Sequence, residues 1–190
     1  MSEPHVKDDI ARRQLELVRK AIANGEEAWG KPRLDLDVEA FQAYRAGKRP
    51  NLPEPFCSDP VDSIMMADVE GKQVLCLAGA GGYQSAAFSL LGAKVTVLDL
   101  TPEQLEADER AAKHYGYDVT LIQGDIRDLS GLPRAHFDAV YQPISTLYVP
   151  DLREVYSGVA RILKATSPYF VQFAVPLLYM AEVGDWDGAG

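Results

Sequence analysis

The sequence predicts an α/β fold: a doubly wound, mostly parallel sheet preceded by an N-terminal helical cap. Residues 74–99 show the pattern of a buried strand, a glycine cluster, a short helix and a second strand closed by Asp99. Short apolar segments then alternate with helical patterns as far as Val175, an order typical of parallel sheets covered by helices on both faces. The composition, 47% hydrophobic and 25% charged over 190 residues, is that of about one globular domain.

Residues 1–70 are predicted to form the helical cap and a Pro-rich linker. Apolar residues between positions 8 and 24 favour one face of a helix that ends at an Asn-Gly pair. A second short helix is predicted over 37–46, and the Pro-rich connection 49–56 cannot continue it. Two interpretations stay open: a lid that closes over a ligand, or a helix pair that only covers the sheet.

Residues 71–190 are predicted to form the sheet domain. The strands are predicted over 74–78, 94–98, 118–123, 137–141 and 169–175. The helix that follows the second strand is predicted to run to Tyr115, with Thr101 and Gln104 as a capping box around Pro102. A further helix is predicted from the turn at 149–152 to about residue 164.

The glycine cluster and Asp99 together predict a nucleoside site. Gly79, Gly81 and Gly82 allow close backbone approach to a ligand, at the start of a helix with free N–H groups. Asp99 lies 20 residues after Gly79 at a strand tip, where a carboxylate can accept from both ribose hydroxyls. The alternative for the glycine cluster is a tight turn without a ligand, and the alternative for Asp99 is an ordinary surface carboxylate.

Charge and cysteine content exclude several classes of partner. A formal net charge of −9 and a pI near 4.8 argue against a nucleic acid or an anionic membrane. Cys57 and Cys76 show no metal-ligand spacing, so we expect a reduced protein without a metal site. The charged N-terminus is unlike a secretory signal, and the apolar run 169–180 is too short to span a bilayer. A cytoplasmic protein is expected.

Four segments carry a resemblance to a known family: VLCLAGAGG from Val74, VTVLD from Val95, QGDIRDL from Gln123, and FDAVYQPISTLYVPDLREVYSGVARILKA from Phe137. In combination they resemble the Rossmann-like class I S-adenosylmethionine-dependent methyltransferases, in particular a bacterial subgroup of methyltransferase-domain proteins. The resemblance covers about residues 70–175. It implies S-adenosylmethionine as cofactor and S-adenosylhomocysteine as product.

The resemblance also implies a set of cofactor-binding residues: Ala78, Gly79, Ala80, Gly81, Gly82, Asp99, Leu100, Asp125, Ile126 and Gln142. Asp125 is expected to meet the adenine amino group, with Ile126 on the ring. The family's first motif reads acidic-x-Gly-x-Gly-x-Gly, whereas this chain has Cys76, Ala78, Ala80 and Gly82 at those positions. The acidic residue that often organises the methionine end is therefore absent, which predicts weakened cofactor binding.

Several side chains have two interpretations. Tyr83 and Gln84 either contact the methionine carboxylate or only cap the helix. Tyr148 either lines an acceptor pocket or packs against neighbouring residues. Tyr141 belongs either to the core or to the site. An NAD-dependent oxidoreductase is disfavoured because Gln84 stands where its third glycine is required. A nucleobase amino-methylase is disfavoured because the turn after the fourth strand reads Gln-Pro-Ile-Ser. His114 and His136 are expected to be solvated rather than catalytic.

The predicted function is methyl transfer to a small-molecule acceptor, with no catalytic residue identified. The alternative is a non-catalytic methyltransferase-like domain that binds a nucleoside or acts as an interaction module. The family sheet ends with an antiparallel strand pair, and the 15 residues after Val175 are too few to supply it. The exposed edge of the fifth strand predicts either a homodimer or a structurally compromised fragment.

Overall fold

Five parallel strands form one sheet, in the order β3-β2-β1-β4-β5. The computed structural model describes residues 6, 8–25, 30–56, 60–79 and 81–173. The strands are β1 (Gln73–Leu77), β2 (Lys94–Asp99), β3 (Val119–Gln123), β4 (Ala139–Gln142) and β5 (Tyr169–Val171). Because β1 pairs with both β2 and β4, the strand order reverses there, and ligands of open α/β sheets bind at such a reversal. The predicted fold class is confirmed.

Helices cover both faces of the sheet. They are α1 (Asp9–Ala23), α2 (Val38–Arg45), α3 (Pro60–Met66), α4 (Gln84–Leu90), α5 (Pro102–Tyr115) and α6 (Leu152–Ile162), with a 3-10 turn over Ser145–Tyr148. The sequence analysis missed α3 and the 3-10 turn, because short helices next to proline carry little periodicity. No helix in the described ranges is long and apolar enough to cross a membrane.

Aspartate residues define three helix starts. The side chain of Asp8 accepts from the N–H groups of Ile10 and Ala11, and Asp37 and Asp151 cap α2 and α6 in the same way. Each side-chain oxygen satisfies a backbone donor that has no partner within its helix. The local sequence therefore fixes where these helices begin.

The capping box predicted at the start of α5 is wrong. Thr101 is the N-cap residue but makes no side-chain capping bond, and its N–H donates to Asp99 Oδ1 at 2.8 Å. Gln104 is buried instead, and its Oε1 accepts from Gly30 N at 2.8 Å. A contact 74 positions away in the sequence replaces the local one, because it also satisfies a backbone donor of the N-terminal segment.

The two faces of β1 belong to two apolar layers. Val74 and Cys76 pack in a layer with Phe41, Phe56 and Phe88 from the N-terminal segment and α4. On the opposite face, Leu75 and Leu77 pack with residues of α6 such as Val155, Val159 and Ile162. Cys76 is buried, and burial raises the pKa of its thiol, so it behaves as a small apolar residue.

The predicted strand limits differ from the observed ones at the end of the chain. β4 begins at Ala139, and Phe137 makes only an isolated bridge to Leu163. β5 ends at Val171 rather than at residue 175; positions 174 and 175 lie outside the described residues, as do His5, Cys57 and the tail 176–190. β5 lies at the edge of the described sheet, and the homodimer through this edge stays a prediction.

Candidate functional site

A cleft of about 700 Å³ opens at the carboxyl ends of the strands, beside the reversal of strand order. Six predicted site residues line its sheet side: Ala78, Gly79, Asp99, Leu100, Asp125 and Ile126. They follow or end three different strands, β1, β2 and β3, and the parallel arrangement brings these ends to one edge. A cleft of this size is in the usual range for small-molecule sites.

Helix α1 covers the cleft from above. Leu17, Val18 and Ala21 line it from the helix, so the structure places this element over the cleft. Three ties hold α1 there. Arg19 Nε donates to Glu103 Oε1 at 2.8 Å, Gln14 Nε2 donates to the Tyr148 carbonyl, and the Asp8 carboxylate pairs with Arg127. These contacts give α1 the position of a lid.

The loop after β1 turns sharply at Ala78. Its φ of +49° lies in the left-handed region, which is unfavourable for a residue with a Cβ atom. The Ala78 N–H donates to Leu98 O at 2.8 Å, which ties the loop to β2. The resemblance places a glycine at this position in related proteins, and Ala80, the second such alanine, lies outside the described residues.

Gly81 and Gly82 face α5, not the cleft. Their φ values are +89° and +92°, and a Cβ atom on Gly81 would lie 2.8 Å from Gln104 Oε1 and 3.0 Å from Ala107 Cβ. On Gly82 it would lie 3.2 Å from Ala111 Cβ, tighter than ordinary packing. These two glycines allow the loop to pack closely on α5, while Gly79 lines the cleft.

Asp99 forms the tip of β2 and is only 6% exposed. Its Oδ1 accepts from Thr101 N at 2.8 Å, which fixes the orientation of the carboxylate. Burial raises its pKa to about 6, against the smaller opposing effect of the hydrogen bonds from Thr101 and Leu100. The side chain is therefore oriented and poorly solvated, as expected for an acceptor of ligand hydroxyls.

Asp125 is held by Arg127, a residue that the sequence analysis missed. The guanidinium Nε donates to both carboxylate oxygens of Asp125 at 3.0 and 3.1 Å, and the Arg127 backbone N–H donates at 2.9 Å. The same guanidinium donates to Asp8 Oδ2 at 2.7 Å. Both carboxylates raise the pKa of Arg127, and Arg127 lowers that of Asp8. Arg127 thus joins the N-terminus of α1 to the end of β3.

Gln142 is predicted as a site residue, but the structure buries it away from the cleft. Its Nε2 donates to Ser145 Oγ at 3.0 Å, and its Oε1 accepts from the Tyr169 hydroxyl. The residues that follow it, Pro143, Ile144 and Ser145, line the cleft instead. Gln142 therefore stabilises this turn through its hydrogen bond to Ser145.

The residues with two interpretations separate clearly in space. Gln84 and Tyr148 line the cleft. Tyr141 lies in the core, with its ring 4.6 Å from that of Phe170. Tyr83 packs on Phe56 with ring centroids 4.7 Å apart. Neither His114 nor His136 is a described lining residue of the cleft.

Exposed apolar side chains line part of the cleft, alongside the exposed Lys20 and Asn24 at the end of α1. Leu17 of α1 is 64% exposed, and Ile144 and Tyr148 on the facing turn are 39% and 42% exposed. The carboxylates Asp99 and Asp125 lie on the sheet side of the same cleft. The cleft thus combines carboxylates at the strand ends with a mixed apolar and polar lining at α1.

A family described as "Methyltransferase domain" matches residues 75–171. The chain is 31% identical over 168 residues to YbaJ, an uncharacterized methyltransferase of Bacillus subtilis, covering 85% of this chain and 65% of that protein. It is 30% identical over 104 residues to a ubiquinone biosynthesis O-methyltransferase of Xanthomonas oryzae, covering 55% of this chain and 44% of the relative. The chain thus spans less than two thirds of either relative.

The fold is also similar to that of a solved methyltransferase structure. The S-adenosylmethionine-dependent methyltransferase from Mesorhizobium loti is 25% identical, with a TM-score of 0.53, over 76% of this chain and 57% of that one.

Proposed function

Because this chain belongs to the class I S-adenosylmethionine-dependent methyltransferase family, we propose that it transfers the cofactor's methyl group to a small-molecule acceptor. One observation carries the proposal: the cleft brings Gly79, Asp99 and Asp125 together at the strand ends. These residues come from three separate sequence motifs that the family resemblance singles out.

The lining residues fit the cofactor's nucleoside. Asp99 would accept from the ribose hydroxyls, since its carboxylate is oriented by Thr101 N and faces the cleft. Leu100 and Ile126 would contact the adenine ring. Asp125 would accept from the adenine amino group alongside the hydrogen bonds from Arg127, which already reach both of its carboxylate oxygens.

Bound S-adenosylmethionine supplies an activated methyl group and a neutral leaving group. The protein's own contribution is then positioning, which can provide much of a rate enhancement. No histidine or cysteine is among the described lining residues of the cleft, so we assign no general base. Helix α1 limits access of water to the cleft, and the strand ends fix the position of the nucleoside.

The acceptor is proposed to be small and partly apolar. The exposed side chains of Leu17, Ile144 and Tyr148 offer an apolar part of the acceptor a surface to pack on. The Xanthomonas relative is named for ubiquinone biosynthesis, which supports a small-molecule acceptor of this character. The net charge of −9 favours neither a nucleic acid nor an anionic membrane as partner.

The alternative, a non-catalytic nucleoside-binding domain, is favoured by two positions. Ala78 adopts a strained backbone where the family has glycine, and Cys76 replaces the acidic residue of the motif. Both changes reduce complementarity to the cofactor without removing the ribose and adenine contacts. Binding without turnover is therefore the expected behaviour of such a domain.

Release of S-adenosylhomocysteine separates the two functions. The protein is incubated with S-adenosylmethionine and a panel of small phenols, carboxylic acids, amines and thiols, and the product is quantified. We expect release that depends on one acceptor class, is lost in Asp99→Ala and is kept in Asp68→Ala, a surface carboxylate paired with Lys72. Cofactor binding without release for every acceptor class would favour the non-catalytic domain.

Three sequence-based expectations stay predictions. They are the division into a cap of residues 1–70 and a domain of 71–190, the homodimer through the β5 edge, and the cytoplasmic location. Light scattering of the purified protein tests the homodimer directly, and a stable monomer would contradict it.

A further inference from the structure

Gln104 carries a buried donor without a partner. The residue is 1% exposed, lines the cleft and has no acceptor for its Nε2 among the described residues. The orientation of the amide is fixed, because Oε1 accepts from Gly30 N at 2.8 Å and an N–H donor cannot face the amide nitrogen. Leaving such a group unpaired is costly, so a ligand acceptor at Nε2 would relieve the cost.

Gln84, the first residue of α4, presents the complementary group. It lines the cleft, and its Oε1 is a buried acceptor without a hydrogen-bond partner. This oxygen lies 3.5 Å from the position that a Cβ atom on Gly79 would take, and the Gln104 carboxamide lies against Gly81. An unpaired donor and an unpaired acceptor therefore flank the glycine loop.

We propose that Gln104 and Gln84 recognise the zwitterionic amino-acid end of the cofactor; this inference rests on the proposed function. The Gln104 amide donates to the α-carboxylate, and Gln84 Oε1 accepts from the α-ammonium group. The pair matches an amino acid because it offers one donor and one acceptor without net charge.

The carboxylates of the cleft are assigned to other parts of the ligand, so the two glutamines are the groups proposed for its amino-acid end. Asp99 is assigned to the ribose, and Asp125 with Ile126 lies at the end of β3, on the far side of β2 from the glycine loop. Cys76 cannot serve as the acidic partner of the ammonium, because it is buried and its thiol pKa is raised. The two glutamines thus provide neutral polar contacts where this chain lacks the motif's acid.

Paired binding measurements isolate the amino-acid end. S-adenosylhomocysteine and 5′-methylthioadenosine share the nucleoside, but only the first carries the amino acid. Calorimetry with both ligands is performed on the wild type, Gln104→Glu, Gln104→Ala, Gln84→Ala and the exposed control Gln42→Ala. Gln104→Glu keeps the acceptor for Gly30 N and places a carboxyl group opposite the ligand's carboxylate.

We expect each cleft variant to bind S-adenosylhomocysteine about 10-fold more weakly or worse, the usual effect of losing a hydrogen bond to a charged group. Affinity for 5′-methylthioadenosine should stay within about twofold of wild type, and Gln42→Ala should change neither. An equal loss for both ligands, or no loss for either in variants that still bind 5′-methylthioadenosine, would overturn the assignment. Wild-type protein that binds neither ligand would instead refute the proposed function itself.

Discussion

The affinity of the cleft for a nucleoside should depend on pH through Asp99. Burial raises the pKa of this carboxyl from 3.8 to about 6. Only the ionised form accepts from both ribose hydroxyls, because the protonated form keeps one oxygen as a donor. Affinity should therefore rise as pH increases through about 6.

The size of the effect follows from the fraction ionised. With a pKa of about 6, roughly one tenth of Asp99 is ionised at pH 5 and roughly nine tenths at pH 7. If only the ionised form binds well, the association constant increases about tenfold over this interval, or about 1.4 kcal/mol. With an unshifted pKa near 3.8, the increase would be less than about 10%.

Calorimetry with 5′-methylthioadenosine between pH 5 and pH 8 measures this profile. The ligand lacks the amino-acid end, so titration of that end cannot contribute. Asp99→Asn should bind weakly with a flat profile. Asp108→Asn is the control: Asp108 is also buried, and its pKa is raised to about 7 by burial and in part by the charge of Asp99. It does not line the cleft, so the rise should persist with at most a small shift of its midpoint. A flat wild-type profile, or an unchanged rise in Asp99→Asn, would refute the reasoning.

Three further predictions concern stability. Ala78→Gly should raise the free energy of unfolding by about 1 kcal/mol and the melting temperature by about 2–4 °C, because the φ of +49° no longer strains a Cβ atom; an unchanged or lower melting temperature would contradict this. Arg127→Met should lower the free energy of unfolding, measured by chemical denaturation, by about 3 kcal/mol, because it leaves the carboxylate of Asp125 buried without its cationic partner. It should also speed amide hydrogen exchange in α1, because the helix loses its ion pair through Asp8. Exchange protection of α1 equal to wild type would show that this ion pair is unimportant. For Asp108→Asn, we consider the free energy of unfolding of the variant minus that of the wild type. This difference should increase by up to roughly 4 kcal/mol between pH 4 and pH 8. The native state of the wild type holds its proton up to a pKa of about 7, so wild-type stability falls as pH rises through this window, and a constant difference across it would refute the assignment.

The sheet was predictable because its signals are local. Strand and helix patterns alternate along the chain, and Asp8, Asp37 and Asp151 define helix starts within three residues of the bonds they accept. The positions of Asp99 and Asp125 at strand ends follow from the same alternation. Parallel pairing then brings these ends together without further information.

The position of α1 and the N-terminal segment over the cleft was not predictable, because their contacts join distant parts of the sequence. Arg127 and Asp8 are separated by 119 positions, and Gln104 and Gly30 by 74. A local capping motif suggested the wrong partner for Gln104, since the sequence does not show that Gly30 N needs an acceptor. The pairing of a glutamine with the N-terminal segment is visible only once the chain is folded.

The glycine loop illustrates both cases. The sequence indicated a sharp turn after β1, and the structure contains one. It did not show that Gly81 and Gly82 face α5, because close packing against Ala107 and Ala111 depends on the relative position of the loop and α5.

The central claim, that the cleft beneath α1 is an S-adenosylmethionine site, is tested most directly by titrating S-adenosylmethionine into the wild type and Asp99→Ala. Circular dichroism first shows that both proteins are folded. We predict binding in the micromolar range by the wild type, with one site per chain, and loss of binding in Asp99→Ala. Absence of binding by the folded wild type, or equal binding by both proteins, would contradict the account.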